Sequence, residues 1–153
     1  MGTTSLPWIQ TLSGRIVNPT LLDVNDVNIT DIAHSLSGLV RFTGHCPERY
    51  TVAQHSVLTS LICNPVFARE ALLHDAAECY LNDLNTPVKK LLPEYSEMED
   101  AILSVIMKKY GLAETLPADV IAADHTMFRL EILRFFPNGC PLWKQYKVKP
   151  QEY

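Results

Sequence analysis

Helix start signals recur along the chain at intervals that suit a bundle of helices. The segment "NITD" can cap a helix from Ile29 to about Val40. The segment "TVAQ" at Thr51 has the form of a capping box and opens a helix to about Ile62. Asn64 followed by proline is an N-cap with proline at the first helical position, so a third helix is predicted from Pro65.

The second half of the chain continues this pattern. Its signals predict a short turn at Thr86-Pro87, a helix from Ser96 to about Tyr110 that Gly111 stops, and a last long helix from Pro117 to about Phe136. Near the N-terminus, "WIQTLSGRIV" places strand-forming residues on both sides of Ser13-Gly14 and predicts a two-stranded hairpin. The predicted fold class is all-α, a bundle of five to six helices with at most a small N-terminal β-hairpin, in a single domain over residues 1–153.

The charge and cysteine content exclude several classes of protein. Thirteen basic and seventeen acidic residues give a formal charge of −4, which does not provide the basic face that a nucleic-acid polymer needs. The opening "MGTTSLPWIQ" has no signal-peptide pattern, and no apolar run approaches the roughly 20 residues that span a bilayer. Cys46, Cys63, Cys79 and Cys140 form no CxxC pair. We therefore expect a cytoplasmic protein with free thiols and no membrane partner.

The stretch "ALLHDAAECYLND" carries more charge than an ordinary core helix needs. Its leucines and Tyr80 form one apolar side, whereas His74, Asp75 and Glu78 fall within an arc of about 100° on the other. One interpretation is a surface pair between His74 and Glu78 at i, i+4. However, Phe67 shares that arc, which indicates that this side is also covered, and covered carboxylates must be paired or bound to a metal.

Two residues on other predicted helices extend this interpretation. Asp124 lies inside an apolar stripe of the last helix, where a carboxylate is costly unless an arginine or a metal compensates its charge. His55 lies at the edge of the stripe of its helix and suits either a hydrogen-bonded core position or a metal ligand. Two imidazoles with two carboxylates would suit a divalent ion such as Zn, Co, Mn, Fe or Mg.

Several motifs around these residues resemble those of a known family. The order H…HD…D, together with "VAQHS", "ALLHDAAE", "ND" before "TPVK", and "AADHT", resembles the HD-domain phosphohydrolase superfamily and its YfbR-like deoxynucleotidase branch. The segments "WIQTLSGR" and "DIAHSLSGLVRFTGH" look like phage and bacterial HD proteins that include the DatZ-type enzymes, which hydrolyse dATP. The resemblance covers the chain from about Asp31 to Glu131 and implies an HD-domain helical bundle.

The resemblance also implies roles for individual residues. It makes His55, His74, Asp75 and Asp124 the ligands of a divalent metal (Co, Zn, Mn or Mg). Two further acids match catalytic positions: Glu78 would orient or deprotonate the attacking water or protonate the leaving oxygen, and Asp83 would lie near the phosphate or sugar.

Substrate contacts follow from the same resemblance. Arg41 would bind phosphate, and Phe42 stands where the bacterial nucleotidases carry tryptophan, so base selectivity can differ. His34 and His45 are additional histidines that could touch substrate, although a solvated polar face also explains His34. Lys89 could meet outer phosphates, and a solvated lysine is the alternative.

The function implied is hydrolysis of 2′-deoxynucleotides by metal-activated water, with dATP triphosphohydrolase as the leading expectation. The alternatives are a 5′-deoxynucleotidase acting on dNMPs, a non-catalytic HD sensor that binds metal or nucleotide, and an α-helical interaction module. The family commonly assembles, so a homo-oligomer (dimer or hexamer) is expected. Leu142, Trp143 and Tyr146 would lie either at that interface or on the protein's own core. For a phage-encoded chain the compartment would be the host cytoplasm.

Overall fold

A short antiparallel hairpin precedes the helices in the computed structural model, which describes residues 7–136. Strand β1 (Ile9–Gln10) pairs with β2 (Ile16–Val17), and Ile9 lies opposite Val17. Gly14 has φ +83°, a left-handed conformation that glycine adopts without steric cost. The predicted N-terminal hairpin is therefore confirmed.

The rest of the described chain is mostly helical, as predicted. In chain order the α-helices are α1 (Ile29–Gly38), α2 (Val52–Ile62), α3 (Ala68–Leu73), α4 (Glu78–Leu81), α5 (Thr86–Lys89), α6 (Pro93–Lys109) and α7 (Ala118–Phe135). Short 3-10 turns occupy Pro19–Leu21, Arg41–Gly44 and Pro65–Phe67. Within residues 7–136, no helix combines the length and the apolar character that a membrane crossing requires.

Local capping chemistry explains where the first two helices begin. The Asn28 side chain accepts a hydrogen bond from the backbone N–H of Thr30 at the start of α1. Thr51 and Gln54 form a complete capping box at the start of α2, with each side chain accepting from the other residue's backbone N–H. Both predicted starts are confirmed because a cap needs only residues close in sequence.

Three predicted boundaries differ from the structure. Helix α1 ends at Gly38 rather than near Val40, because Val40 forms an antiparallel bridge with Thr51 instead of a further helical turn. Helix α6 begins at Pro93 rather than after Ser96, since proline is favourable in the first helical turn. The turn predicted at Thr86-Pro87 begins one residue earlier, at the cap Asn85, whose side chain accepts from the Val88 N–H.

The helix predicted to continue from Pro65 through "ALLHDAAECYLND" is interrupted. A 3-10 turn leads into α3, and His74–Ala77 form turns before α4. Across this break the N–H groups of Ala76 and Glu78 bond to carbonyls three residues earlier, Leu73 and Asp75, at 2.9 and 3.1 Å. His74 Nδ1 donates a hydrogen bond to the Ala71 carbonyl at 2.7 Å. The backbone therefore forms tighter turns, with hydrogen bonds spanning three residues, where His74 and Asp75 lie.

The segment between α1 and α2 folds back on itself. The Arg41 N–H donates to the Tyr50 carbonyl at 3.0 Å, and the Val52 N–H donates to the Leu39 carbonyl at 3.1 Å. These bonds close residues 39–52 into a loop whose two ends lie side by side. Arg41 and Tyr50 are therefore both held next to the start of α2.

Helix α2 lies at the centre of the described fold and packs against α1, α3 and α7. The main core joins the hairpin, α1, α2, the α3–α4 region and α6 through residues that include Ile32, Val52, Ile102, Ile106 and Met107. A smaller cluster of Cys63, Ala71, Val120 and Ala123 joins α2, α3 and α7. Two of its members are alanines, which allow close approach of these three elements.

Candidate metal centre

The polar residues singled out in the sequence come from three elements that meet beside this small cluster. His55 lies on α2, His74 and Asp75 lie in the turn after α3, and Asp124 lies on α7. His55 and His74 are buried, with 0% and 7% of their surface exposed. The packing of α3 and α7 against α2 therefore brings together residues up to 69 positions apart in sequence.

Three of these side chains form a group that can hold a metal ion. The Nε2 atoms of His55 and His74 lie 3.1 Å apart. Asp124 Oδ1 lies 3.1 Å from His55 Nε2 and 3.7 Å from His74 Nε2. Donor atoms about 2.1 Å from a common ion lie about 3.0 Å apart at right angles and about 3.4 Å apart at the tetrahedral angle. The observed separations fit such an ion.

Asp75 offers a fourth donor atom, a carboxylate oxygen that lies against the same two imidazoles. Its Oδ2 lies 3.3 Å from His74 Nε2 and 3.5 Å from His55 Nε2. The tightened turn after Leu73 directs this carboxylate and the preceding imidazole toward one place, although they are adjacent in sequence. All four residues that the resemblance made metal ligands are therefore neighbours in space.

The hydrogen bonds of the two rings fit ligation through Nε2. His74 Nδ1 lies 2.7 Å from the Ala71 carbonyl, and His55 Nδ1 lies 2.5 Å from Glu131 Oε1. A carbonyl oxygen can only accept, so the His74 proton is on Nδ1, and a carboxylate partner places the His55 proton likewise. Both Nε2 lone pairs then point at the shared centre, an arrangement typical of metal-binding histidines.

Without an ion, these groups perturb one another strongly. Burial acts to lower the pKa of His74, but the charge of Asp75 and the hydrogen bond to Asp124 outweigh it and raise that pKa to about 9. Burial acts to raise the pKa of Asp124, but hydrogen bonds to His55 and His74 outweigh it and lower that pKa. Asp124 is thus compensated by imidazoles rather than by an arginine, the partner considered as an alternative from sequence.

Glu78 lies beside the cluster and is buried, with 4% of its surface exposed. Its Oε2 atom has no hydrogen-bond partner. Burial, together with the charges of Asp75 and Asp83, raises the pKa of Glu78 to about 10. The alternative of a solvated surface pair between His74 and Glu78 is therefore wrong, because both side chains are inside the protein.

Asp83 lies beyond α4 and is partly buried. Burial raises its pKa, Arg41 lowers it and Asp75 raises it, so the Asp83 carboxylate lies within electrostatic reach of the centre. Asn82, just before it, has φ +81° and ψ 160°, a backbone conformation that costs an ordinary residue about 1–3 kcal/mol. This strained residue turns the chain so that Asp83 follows α4 at the site.

Arg41 is held by two carboxylates. Its Nε and Nη2 atoms donate to Glu131 Oε2 at 3.2 and 3.1 Å, and its Nη1 donates to Asp75 Oδ2 at 3.4 Å. Tyr50 donates its hydroxyl to Glu131 Oε1 at 2.9 Å. Arg41 is therefore connected to the centre both directly, through Asp75, and through Glu131 to His55.

Glu131 is the residue of the site that the sequence reasoning missed. It lies seven residues after Asp124 on α7, so the two carboxylates share one face of the helix. Glu131 has 1% of its surface exposed. A second carboxylate on an otherwise apolar stripe was the signal that could have revealed it.

Phe42 follows Arg41 in a backbone turn of unusual geometry. Phe42 and Thr43 have φ values of +55° and +53°, and Gly44 has +76°. The Phe42 ring stacks on Phe128 with centroids 6.1 Å apart and meets Phe136 edge-on at 5.3 Å. The Phe42 ring, expected to affect base selectivity, is thus packed against the C-terminal half of α7.

The remaining candidate substrate residues lie in different places. Lys89 donates to both carboxylate oxygens of Glu99 at 2.8 Å and is partly buried. His45 is exposed in the loop after Gly44. His34 is exposed and lines a cavity of about 420 Å³ between β1, α1 and α4. None of the four clustered ligands lines that cavity, so the structure does not bring His34 together with them.

Three of the four cysteines lie in the part of the chain that the structure describes. Cys46, Cys63 and Cys79 are free thiols, as expected. Cys140 and the tail residues Leu142, Trp143 and Tyr146 lie outside the described residues.

Comparison with known proteins places the chain among uncharacterized bacterial proteins. It is 44% identical to the uncharacterized protein YfdR of Escherichia coli K12 over 154 aligned residues, which cover 95% of this chain and 86% of YfdR. It is 36% identical to an uncharacterized protein of Rhodobacter capsulatus over 141 residues, which cover 81% of this chain and 70% of that protein. No family model matches the chain. The identity and coverage together show that the chain belongs to the same family as YfdR.

Proposed function

We propose that the protein is a divalent-metal-dependent phosphohydrolase of 2′-deoxynucleotides with an HD-type fold. The observation that carries this proposal is the grouping of donor atoms from His55, His74 and Asp124, with Asp75 Oδ2 within 3.5 Å of both imidazoles. Glu78 Oε2 is buried beside them without a hydrogen-bond partner. A purely structural metal site has no need of a further acid. The motif resemblance supplies the substrate class.

The ligands would be His55, His74, Asp75 and Asp124, with ion identity among Co, Zn, Mn and Mg open to measurement. When bound, a divalent ion supplies positive charge next to a phosphate and makes water easier to deprotonate. Arg41 donates to phosphate oxygens with its free N–H groups, because its planar fork suits oxyanions.

Glu78 transfers a proton, and Asp83 orients the sugar or a water. The pKa of Glu78, raised to about 10 mainly by burial, keeps its proton on at neutral pH in the ion-free protein. A protonated Glu78 can donate that proton to the leaving oxygen of the sugar, which is the general-acid role. Asp83, partly buried next to this acid, is suited to hold a sugar hydroxyl or a water.

The leading substrate is dATP, with one water consumed and deoxyadenosine and triphosphate released. The resemblance of "DIAHSLSGLVRFTGH" to dATP-hydrolysing enzymes supports this choice. A second candidate is 5′-deoxynucleotidase activity on dNMPs. Arg41 and Lys89 are already paired with carboxylates of the protein. Their positive charge is therefore less available for the outer phosphates of a triphosphate, which favours a monophosphate substrate.

One assay tests the proposal and separates its two forms. Purified protein is incubated with Co²⁺ or Mn²⁺ and with each dNMP and dNTP, and orthophosphate, diphosphate and triphosphate are measured. Triphosphate from dATP supports the first form, and orthophosphate from dNMPs supports the second. Metal binding without release from any nucleotide would reject catalysis and leave the non-catalytic sensor.

A variant pair tests the role of Glu78 within the same assay. Glu78→Gln should lose turnover by at least about 100-fold, in line with removal of a general acid, and should keep its metal. Glu97→Gln changes an exposed glutamate in α6 and should keep both. Unchanged turnover in Glu78→Gln would remove Glu78 from the mechanism.

A further inference from the structure

Glu131 is a buried carboxylate whose two oxygens are fully used. It has 1% of its surface exposed, compared with 4% for Glu78. A buried charge of this kind is costly unless several donors compensate it. Four donors from three residues do so, and two of these residues belong to the proposed active site.

The two oxygens of Glu131 serve different partners. Oε1 accepts from the Tyr50 hydroxyl at 2.9 Å and from His55 Nδ1 at 2.5 Å. Oε2 accepts from Arg41 Nε and Nη2 at 3.2 and 3.1 Å. One rigid carboxyl plane therefore connects His55 to Arg41, residues on different elements.

At His55, this contact decides which ring nitrogen is available. A carboxylate at Nδ1 keeps the proton there and leaves Nε2 to face His74 and Asp124 at 3.1 Å each. It also fixes the rotation of the ring about its own axis. Partners of this kind typically change metal affinity by 10- to 100-fold when they are removed.

At Arg41, the contact decides which donors remain. A guanidinium has five N–H groups, and Glu131 takes one on Nε and one on Nη2. The Nη1 atom is left on the side of Asp75, 3.4 Å from its Oδ2. The donors that remain therefore face the metal ligands, where a phosphate would lie.

We propose that Glu131 is a positioning residue whose two oxygens hold the metal ligand His55 and the phosphate-binding Arg41 in fixed positions relative to one another. The part concerning phosphate rests on the function proposed above. The part concerning metal affinity depends only on the centre binding an ion. Glu131 touches neither substrate nor metal in this role.

The test compares Glu131→Gln with wild type by Co²⁺ absorption titration and by competition with inorganic phosphate. An amide has one acceptor oxygen and cannot serve both partners. We expect Co²⁺ affinity to fall 10- to 100-fold and the affinity of the Co²⁺-loaded protein for phosphate to fall as well. Tyr50→Phe removes a donor from the same carboxylate without breaking either connection, so its Co²⁺ affinity should stay within about 2-fold of wild type.

Arg41→Lys helps to separate the two effects, because it should lower the affinity of the Co²⁺-loaded protein for phosphate more than it lowers Co²⁺ affinity, since Arg41 reaches the metal only through Asp75 and Glu131. A merely structural role for Glu131 would lower the melting temperature of Glu131→Gln and leave the Co²⁺ affinity and absorption band of the folded protein unchanged. That result would overturn the proposal.

A measurement on wild type keeps the proposal testable if Glu131→Gln does not fold. In Zn²⁺-loaded, ¹⁵N-labelled protein, the His55 ring should show a protonated Nδ1 with a slowly exchanging, strongly hydrogen-bonded proton, and a metal-bound Nε2. A metal-bound Nδ1 would overturn the proposal. If wild type binds no Co²⁺ or Zn²⁺, the proposed function fails first and this inference fails with it. If wild type binds metal and Glu131→Gln binds it equally well, only the positioning role fails.

Discussion

The Nε2 atoms of His55 and His74 lie 3.1 Å apart in the protein interior, with Asp124 Oδ1 beside both. Each ring is oriented by a hydrogen bond that its Nδ1 donates, in His55 to Glu131 Oε1 and in His74 to the Ala71 carbonyl. Two lone pairs directed at one another at this distance need a cation between them, either a proton or a metal ion.

Loss of one candidate ligand should abolish stoichiometric metal binding. His74→Ala removes a buried ligand nitrogen. Co²⁺ affinity should fall by more than the 10- to 100-fold expected when a hydrogen-bond partner of a ligand is removed. His125→Ala changes an exposed histidine next to Asp124 on α7 and should bind metal like wild type. Metal analysis after gel filtration measures both. Equal metal content in the two variants would exclude His74 as a ligand.

Glu78→Gln should stabilise the metal-free fold even though we expect it to lose turnover. Burial, with the charges of Asp75 and Asp83, raises the pKa of Glu78 to about 10 in the folded chain, whereas an unfolded glutamate has a pKa of about 4.3. Between these values the unfolded state is ionised and the folded state is protonated, so Glu78 contributes less and less stability as the pH rises from about 4 toward 10. Glutamine has no such dependence.

The measurement is the melting temperature of metal-free Glu78→Gln and wild type from pH 5 to pH 9. The advantage of the variant should grow across this range, because only wild type must keep a proton on a buried carboxyl. An advantage that stays constant with pH, or a less stable variant throughout, would contradict a raised pKa at this position.

Asp31 should stabilise the fold at neutral pH by holding the hairpin turn against α1. Its Oδ1 and Oδ2 accept from the Ser13 N–H and hydroxyl, both at 2.7 Å. Burial acts to raise the pKa of Asp31, but the hydrogen bonds from Ser13 and Thr11 outweigh it and lower that pKa. Asp31→Asn replaces one accepting oxygen with a donor and should cost about 1–3 kcal/mol at pH 6.

The sign of the pH dependence follows from the lowered pKa. The contribution of Asp31 is fully present above the unfolded value of about 3.9 and is lost as the pH falls through the lower folded value. Urea unfolding should therefore show the difference between Asp31→Asn and wild type shrinking below pH 4. Asp119→Asn, an exposed acidic residue in the first turn of α7, should show a much smaller effect at pH 6. Equal effects of the two variants would refute the anchoring role.

The backbone turn after Arg41 stores strain that a substitution should release. Thr43 has φ +53°, a left-handed conformation that costs an L-residue about 1–2 kcal/mol and that asparagine tolerates better than a β-branched residue. Its hydroxyl accepts from Asn85 Nδ2 at 3.2 Å. Thr43→Asn keeps a polar side chain and should raise the free energy of unfolding by about 1 kcal/mol.

Thr43→Val is the matched control, because it keeps the branched shape and removes the hydroxyl. The expected order of stability in urea unfolding is asparagine, then threonine, then valine. A Thr43→Asn variant less stable than wild type would show that the neighbouring contacts, rather than the backbone conformation, set the free energy at this position.

Local sequence determined most of the helices and the hairpin. The caps at Asn28 and Thr51 and the glycine at position 14 act through residues a few positions away, so their effect is present in the sequence itself. The residue types that gather at the centre were also recognisable, because His74, Asp75 and Asp124 interrupt faces that a core would keep apolar.

Only the tertiary structure decided how these residues meet. The break after Leu73 follows from contacts that no capping pattern predicts, and it orients His74 and Asp75 toward one point. The role of Glu131 depends on Arg41 and Tyr50, which lie 90 and 81 positions away and reach it through the closed loop between α1 and α2. Hydrogen bonds over such separations depend on how whole helices pack. Residue spacing could therefore predict which residue types form the site but not their arrangement in space.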